Sequence, residues 1–156
     1  MNMLTPGLEF ALEIKIDIDP GKMHEIGATG IGLRRVIPIS GGSFEGPAIK
    51  GTVLPGGYDW QLVRNDSVTE IEARYLLQAD DGSVITIVNK GLRHGPVDVI
   101  QKIANGIEVS PDQYYFRTYP VFETAGEKYK WLTKNVFIAS CIRKPAQVIV
   151  QVWRVI

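Results

Sequence analysis

Phe10-Ala-Leu-Glu-Ile-Lys-Ile-Asp-Ile-Asp19 alternates side-chain character almost without a break. Phe10, Leu12, Ile14, Ile16 and Ile18 fall on one side of an extended chain, and Ala11, Glu13, Lys15, Asp17 and Asp19 on the other, because successive strand residues point to opposite faces. This is the pattern of a half-buried β-strand, and it supplies the period in which the rest of the chain is read. Pro20-Gly21 ends it, and the segment through Gly32, with glycines at 27, 30 and 32, reads as a long loop.

Strand character resumes at Leu33 to Ser40. Pro38 lies inside this run and cannot donate to a ladder, which predicts an edge, a strand end or a bulge there. Ala48 to Leu54, Tyr58 to Arg64, Glu70 to Ala79, Val84 to Asn89, Tyr114 to Glu123, Asn135 to Arg143 and Gln147 to Val155 are further strands, each rich in β-branched or aromatic residues. Pro55-Gly-Gly57, Asn65-Asp-Ser67, Asp80-Asp-Gly82 and Arg143-Lys-Pro145 are short polar turns that join antiparallel neighbours. Val97 to Ala104 has Val97, Ile100 and Ile103 at helical spacing with Asn105-Gly106 as a stop, so one short helix is expected. A second short helical turn falls at Gly126 to Leu132. The chain reads as all-β, a closed antiparallel β-barrel of about eight to nine strands forming one domain over residues 1–156. Closure removes exposed edges, which favours the barrel over a two-sheet sandwich.

Seventeen basic residues balance seventeen acidic ones. The charge footprint of a nucleic-acid or anionic-membrane binder is missing, which directs attention to a small organic molecule as partner. Cys141, the one cysteine, lies in the apolar run Val136 to Ile142 and reads as a buried, inert thiol. The residues from Met1 to Phe10 have neither a basic region nor a sustained apolar stretch, so a cytoplasmic protein is expected. His24 and His94 lie in separate glycine-bearing loops without partners at ligand spacing, and no metal or cofactor motif is found. Gly27-Ala-Thr-Gly-Ile-Gly32 has the wrong spacing for a phosphate-binding loop.

The chemistry-bearing residues concentrate in Gly41-Gly-Ser-Phe-Glu-Gly-Pro47 and Pro55-Gly-Gly-Tyr-Asp-Trp60, where glycines permit close approach to another group. Asp59, flanked by Tyr58 and Trp60, is the candidate general acid or base if desolvation raises its pKa; as a turn-capping residue it would do no chemistry. Glu45 is the reserve. Tyr75 shares the apolar face of Glu70 to Ala79 with Ile71, Ala73 and Leu77, so it points inward. Arg117 stands among five aromatics in Tyr114 to Glu123, and its planar fork suits a carboxylate, in a ligand or in Glu123 or Glu45. Trp131 is placed to close the barrel mouth. Trp60, Tyr75, Arg117 and Trp131 are expected to line one cavity.

Four pieces in order resemble a known family: Gly32-Leu-Arg-Arg-Val-Ile-Pro-Ile-Ser-Gly-Gly-Ser-Phe-Glu-Gly-Pro47, Gly51-Thr-Val-Leu-Pro-Gly-Gly-Tyr-Asp-Trp-Gln61, Glu72-Ala-Arg-Tyr75 with Asp81-Gly82, and Tyr115-Phe-Arg-Thr118 with Trp131-Leu132. Together they are similar to domain of unknown function family 3237, a bacterial and fungal family of small β-barrels. The resemblance implies an antiparallel barrel with a pocket lined by these polar and aromatic residues, and it implies no particular reaction. The expected ligand carries a ring or a carbonyl with an acidic group. Three classes of function are expected: a cofactor-free acid–base enzyme of isomerase, cyclase or lyase type, a non-catalytic carrier or sensor, and a structural or protein-interaction subunit. The irregular strand at Pro38 offers an edge to a second copy, so a homodimer is expected.

Overall fold

The alternating stretch forms β1 (Leu8–Ile18), with Leu12, Ile14, Ile16 and Ile18 buried. Its first turn differs from the expected alternation: a bulge at Ala11 shifts the register between Phe10 and Leu12, so Ala11 is buried and Phe10 lies outside, edge-on to Trp153 at 5.5 Å. The computed structural model describes residues 1–156 as ten strands, one α-helix and three short 3-10 turns. The remaining strands are β2 (His24–Ala28), β3 (Leu33–Gly46), β4 (Ile49–Val53), β5 (Gly57–Val63), β6 (Thr69–Ala79), β7 (Val84–His94), β8 (Tyr115–Thr124), β9 (Phe137–Arg143) and β10 (Gln147–Val155). The helix, α1, spans Val97–Ala104.

All pairings are antiparallel, and the sheet closes because β1 pairs with β10 on one side and β3 on the other. The wall has eight positions. β4 and β5 share one of them between β3 and β6, and β2 lies against β3 beyond the circuit. The segment expected to be a long loop therefore contains β2, which sequence periodicity hides because nearly all its residues are exposed.

Gly41 to Gly46, beyond the expected strand end at Ser40, is the second half of β3. Gly41 and Gly42 adopt φ of 152° and 138°, a backbone region costly for other residues. There β3 leaves β5, which it follows from Leu33 to Ile39, and joins β4 and β1. A Cβ on Gly42 would stand 2.0 Å from the Lys15 carbonyl oxygen, so these glycines serve closure of the wall. Pro38 falls between the last β3 partner of β2, Val36, and the first partner of β1, Ile39, where its missing N–H interrupts no ladder bond. β3 is thus covered on both sides, and the edge on which a homodimer was expected does not exist.

The interior is divided along its length. At one end, a 3-10 turn at Glu127–Thr133 inserts Tyr129 and Leu132, both buried, among Phe122, Phe137 and other apolar side chains. At the other end α1, in the β7–β8 connection, covers the wall with Val99 and Ile103, an i,i+4 pair on its buried face. The buried polar residues gather in this second half, set among apolar ones.

Candidate functional site

Asp59, Gln61, Thr69, Asn89, Arg93 and Thr118 are the buried polar residues, and all face the interior from β5, β6, β7 and β8. Strand parity places them there: Asp59 and Gln61 alternate with the exposed Tyr58 and Trp60, while Asn89 and Arg93 continue the inward period of Ile85 and Ile87. Asp59 stands opposite Ala73 on β6, and Ala73 stands opposite Asn89 on β7. The small Ala73 side chain leaves room between these two polar groups. They contribute, with Thr118 and Cys141, to an enclosed cavity of about 20 Å³ whose other walls include Ile16, Ile39, Ile71, Phe116 and Val150.

A short chain of hydrogen bonds holds Asp59. Arg35 donates from Nε to Gln61 Oε1 at 2.8 Å, and Gln61 donates from Nε2 to Asp59 Oδ2 at 2.7 Å. Asp59 Oδ1 has no partner. Neither do Tyr75 Oη, Asn89 Oδ1, nor Nε and Nη1 of Arg93, and Arg154 Nε is the one other such buried atom in the chain. Buried polar groups are almost always paired, since an unmade bond costs about 1–3 kcal/mol. A concentration of unpaired atoms on the inner face is therefore a mark of a site that receives polar groups from elsewhere.

Burial pushes the Asp59 carboxyl above its ordinary value, against the smaller lowering by the Gln61 bond and by Arg93, Arg143 and Arg35. Burial likewise holds the Tyr75 phenol well above its usual range and pushes the Cys141 thiol up to about 12. Arg93 goes the opposite way, down to about 10, because desolvation disfavours its charged form. The arrangement offers a carboxyl that holds its proton to higher pH than an ordinary aspartate, a phenol and a thiol that keep theirs, and a positive field. Cys141 has the inert character expected from sequence.

The candidates from sequence are dispersed by the fold. Asp59 and Tyr75 are inside, and Tyr75 fits because Gly57 lies against it: a Cβ there would stand 2.4 Å from the Tyr75 Cβ. Trp60 is on the outer wall in a groove with Tyr58, Arg74 and Val88, which Tyr75 also reaches. Arg117 is outside in a second groove, its guanidinium over the Tyr115 ring at 5.6 Å and its Nη1 donating to the Phe116 carbonyl. Trp131 occupies a third depression with Phe10 and Pro47, packs against Phe137, and leaves closure of the barrel end to Tyr129 and Leu132. Glu45 is on the outer wall beside Glu13, Lys15 and Lys50. The single cavity lined by Trp60, Tyr75, Arg117 and Trp131 does not form. Strand parity sends Arg117 out because its neighbours Phe116 and Thr118 point in.

Sequence reading missed Asn89, Arg93, Arg35 and Arg143 as site residues. The signal was available in the inward phase of each strand: Arg35 precedes Ile37 and Ile39, Arg93 follows Ile87 and Asn89, and Arg143 follows Ala139 and Cys141. A charged residue at the inward phase near a strand end is the pattern they share.

These features define a class: closed antiparallel barrels whose interior is apolar at one end and carries the buried polar groups toward the other. The family described as protein of unknown function DUF3237 matches residues 6–155, and the chain belongs to it. It is 41% identical over 152 residues to a UPF0311 protein of Bradyrhizobium diazoefficiens, covering 97% of this chain and 99% of that one. A crystal structure of a conserved protein of unknown function from Rhodopseudomonas palustris superposes with a TM-score of 0.95 at 38% identity, covering 99% of this chain and 100% of the other. A β-barrel like protein from Acinetobacter baumannii gives 0.85 at 37% identity, with 99% of both chains covered. An enzyme from Penicillium herquei shares the fold, with a TM-score of 0.74 at 20% identity over 100% of this chain and 98% of that one.

Proposed function

We propose that this chain binds a carbonyl-containing or aromatic metabolite in the polar half of the barrel and performs acid–base chemistry on it with its own side chains. Asp59 is the proton-carrying group. The observation that supports this reading is the state of its carboxyl: buried, raised by desolvation, held through one oxygen by Gln61, with the other oxygen unpartnered. A carboxyl tuned upward toward the working pH is suited to proton transfer, which contributes about 10²–10⁴-fold to a rate when the group is positioned.

In the simplest such reaction Asp59 as carboxylate removes a proton from the carbon beside a carbonyl and returns it to another carbon of the same molecule. The net result is isomerisation, with the carboxylate restored. Tyr75 donates to the developing enolate oxygen, and the arginines stabilise its charge in a site of low dielectric. Sharing the barrel with an enzyme from Penicillium herquei is a likeness of fold.

Proton exchange can be followed without knowing the substrate. Simple aryl ketones and 1,3-diketones incubated with the protein in heavy water should gain deuterium at the carbon beside the carbonyl faster than in buffer, read by proton NMR. Asp59→Asn should remove about 10²-fold or more of that acceleration, and Glu45→Gln on the outer wall should leave it intact. Acceleration that persists in Asp59→Asn would sink the assignment. Ligands bound without exchange would make the barrel a carrier or sensor.

A further inference from the structure

Three arginines and one carboxyl share the inner face near the α1 end. Arg93 is 3% exposed, its guanidinium lies over the Phe116 ring, 5.2 Å from the ring centre, and its Nε and Nη1 have no hydrogen-bond partner. Arg35 and Arg143 are half-buried and tethered, the first by Gln61, the second by Nη1 donating to the carbonyls of Lys144 and Pro145 and by its backbone N–H donating to Tyr114 Oη. Asp59 is the one acidic group acting on all three. Glu25 also acts on Arg35, so with Asp59 and Glu25 both ionised one positive charge is left over.

We propose that Arg93, flanked by Arg35 and Arg143, recognises the carboxylate of an organic ligand whose apolar body lies along the neighbouring interior wall. This rests on the reading of the barrel interior as the ligand site and names the class of molecule it takes. A guanidinium presents donors in a fixed plane, which fits a planar carboxylate. At about 20 Å³ the adjoining cavity holds a single water, so a hydrocarbon or ring enters only as its largely apolar walls, formed by Ile18, Ile39, Phe116 and Val148, move apart. A flat anionic end joined to a hydrocarbon or ring matches that contrast. A phosphate dianion fits it less well, because it is tetrahedral and would meet the Asp59 carboxyl.

The probes are hexanoate, its neutral isostere hexanamide, and inorganic phosphate, each titrated into the ¹⁵N-labelled protein. The Arg93 Nε–Hε resonance, identified by its loss in Arg93→Lys, reports the site directly. Hexanoate should shift it saturably while hexanamide does not, and Arg93→Met should weaken hexanoate binding by tenfold or more. Arg93→Met should also melt at least about 2–4 °C higher without ligand, because it removes an unpaired buried charge whose cost is kept for binding. Equal shifts from hexanoate and hexanamide, tighter saturation by phosphate, unaltered hexanoate binding in Arg93→Met, or a lower melting point of that variant would each overturn the proposal. If catalysed proton exchange is not found while hexanoate still shifts Arg93, the carboxylate site stands and the acid–base reading alone falls.

Discussion

Asp59 occupies a position where its ionised form is disfavoured by burial and only partly recovered by one hydrogen bond and three distant cations. Its pKa in the folded chain lies above the ordinary 3.8, so stability carried by the protonated carboxyl is complete below about that value and is lost as pH rises through the folded pKa. Asp59→Asn keeps an oxygen on the same carbon skeleton and never ionises. The variant should therefore be more stable than the parent at pH 7, by about 1–3 kcal/mol, the range in which a buried polar group with an unmade bond is felt. The difference should shrink as pH falls toward 4. Urea unfolding at a series of pH values measures it, and a variant less stable than the parent at pH 7 would mean that the arginines outweigh burial. Sequence alone leaves open which face of Tyr58 to Trp60 looks inward, because neither parity is uniformly apolar. The aromatic pair lies out in an exposed groove and the polar pair lies in, where Gln61 and Arg35 give Asp59 its support. A partner 26 residues distant, such as Arg35 for Gln61, leaves no trace in local periodicity.

At the scale of elements, β6, β8, β9 and β10 match their expected spans to within a residue or two because each has a clear two-residue period and a polar turn at its end. β7 extends five residues past the expected Asn89, since Lys90-Gly91 interrupts the apolar pattern without interrupting the ladder to β8. That interruption conceals Arg93. β3 outruns its expected end at Ser40 for a related reason: Gly41-Gly42 signals a turn, yet here it bends a strand from one neighbour to the next. The turn at Glu127–Thr133 is legible as a short helical piece, and its structural task follows from Tyr129 and Leu132, 2% and 1% exposed. Leu132→Ala would leave a void against a packed apolar end and should destabilise by about 2–5 kcal/mol. For a chain of this size that lowers the melting temperature by roughly 4–20 °C. Because this end is opposite to α1, hexanoate binding at a temperature where the variant is folded should be unchanged, which calorimetry can check.

The whole molecule combines a closed wall with two attachments that are tied down on one side only. Apart from the β8–β9 seam, paired only at Arg117–Ser140 and Thr118–Ala139, the wall strands are hydrogen-bonded along both sides, so amides away from that seam exchange with solvent only when neighbouring strands separate together. β1 illustrates this best: it is paired along Leu8 to Asp17 with β10 and along Glu13 to Ile18 with β3, and its inward residues are almost fully buried. β2 is different, being paired with β3 alone and having no buried residue, and α1 is two turns long with only Val99 and Ile103 buried. Local opening of these two segments breaks few contacts and leaves the barrel closed. Amide hydrogen exchange followed by mass spectrometry should accordingly rank β1 and β10 slowest, at the rate of global unfolding, with β2 and α1 faster by about 100-fold or more, a difference of roughly 2.7 kcal/mol in opening free energy. The polar end, which α1 covers, would then open far more often than the end stoppered by Tyr129 and Leu132, and a ligand would reach Asp59 and Arg93 from the α1 side. Exchange in α1 and β2 as slow as in β1 would show a shell that opens only by unfolding, and passage through that end would have to be abandoned.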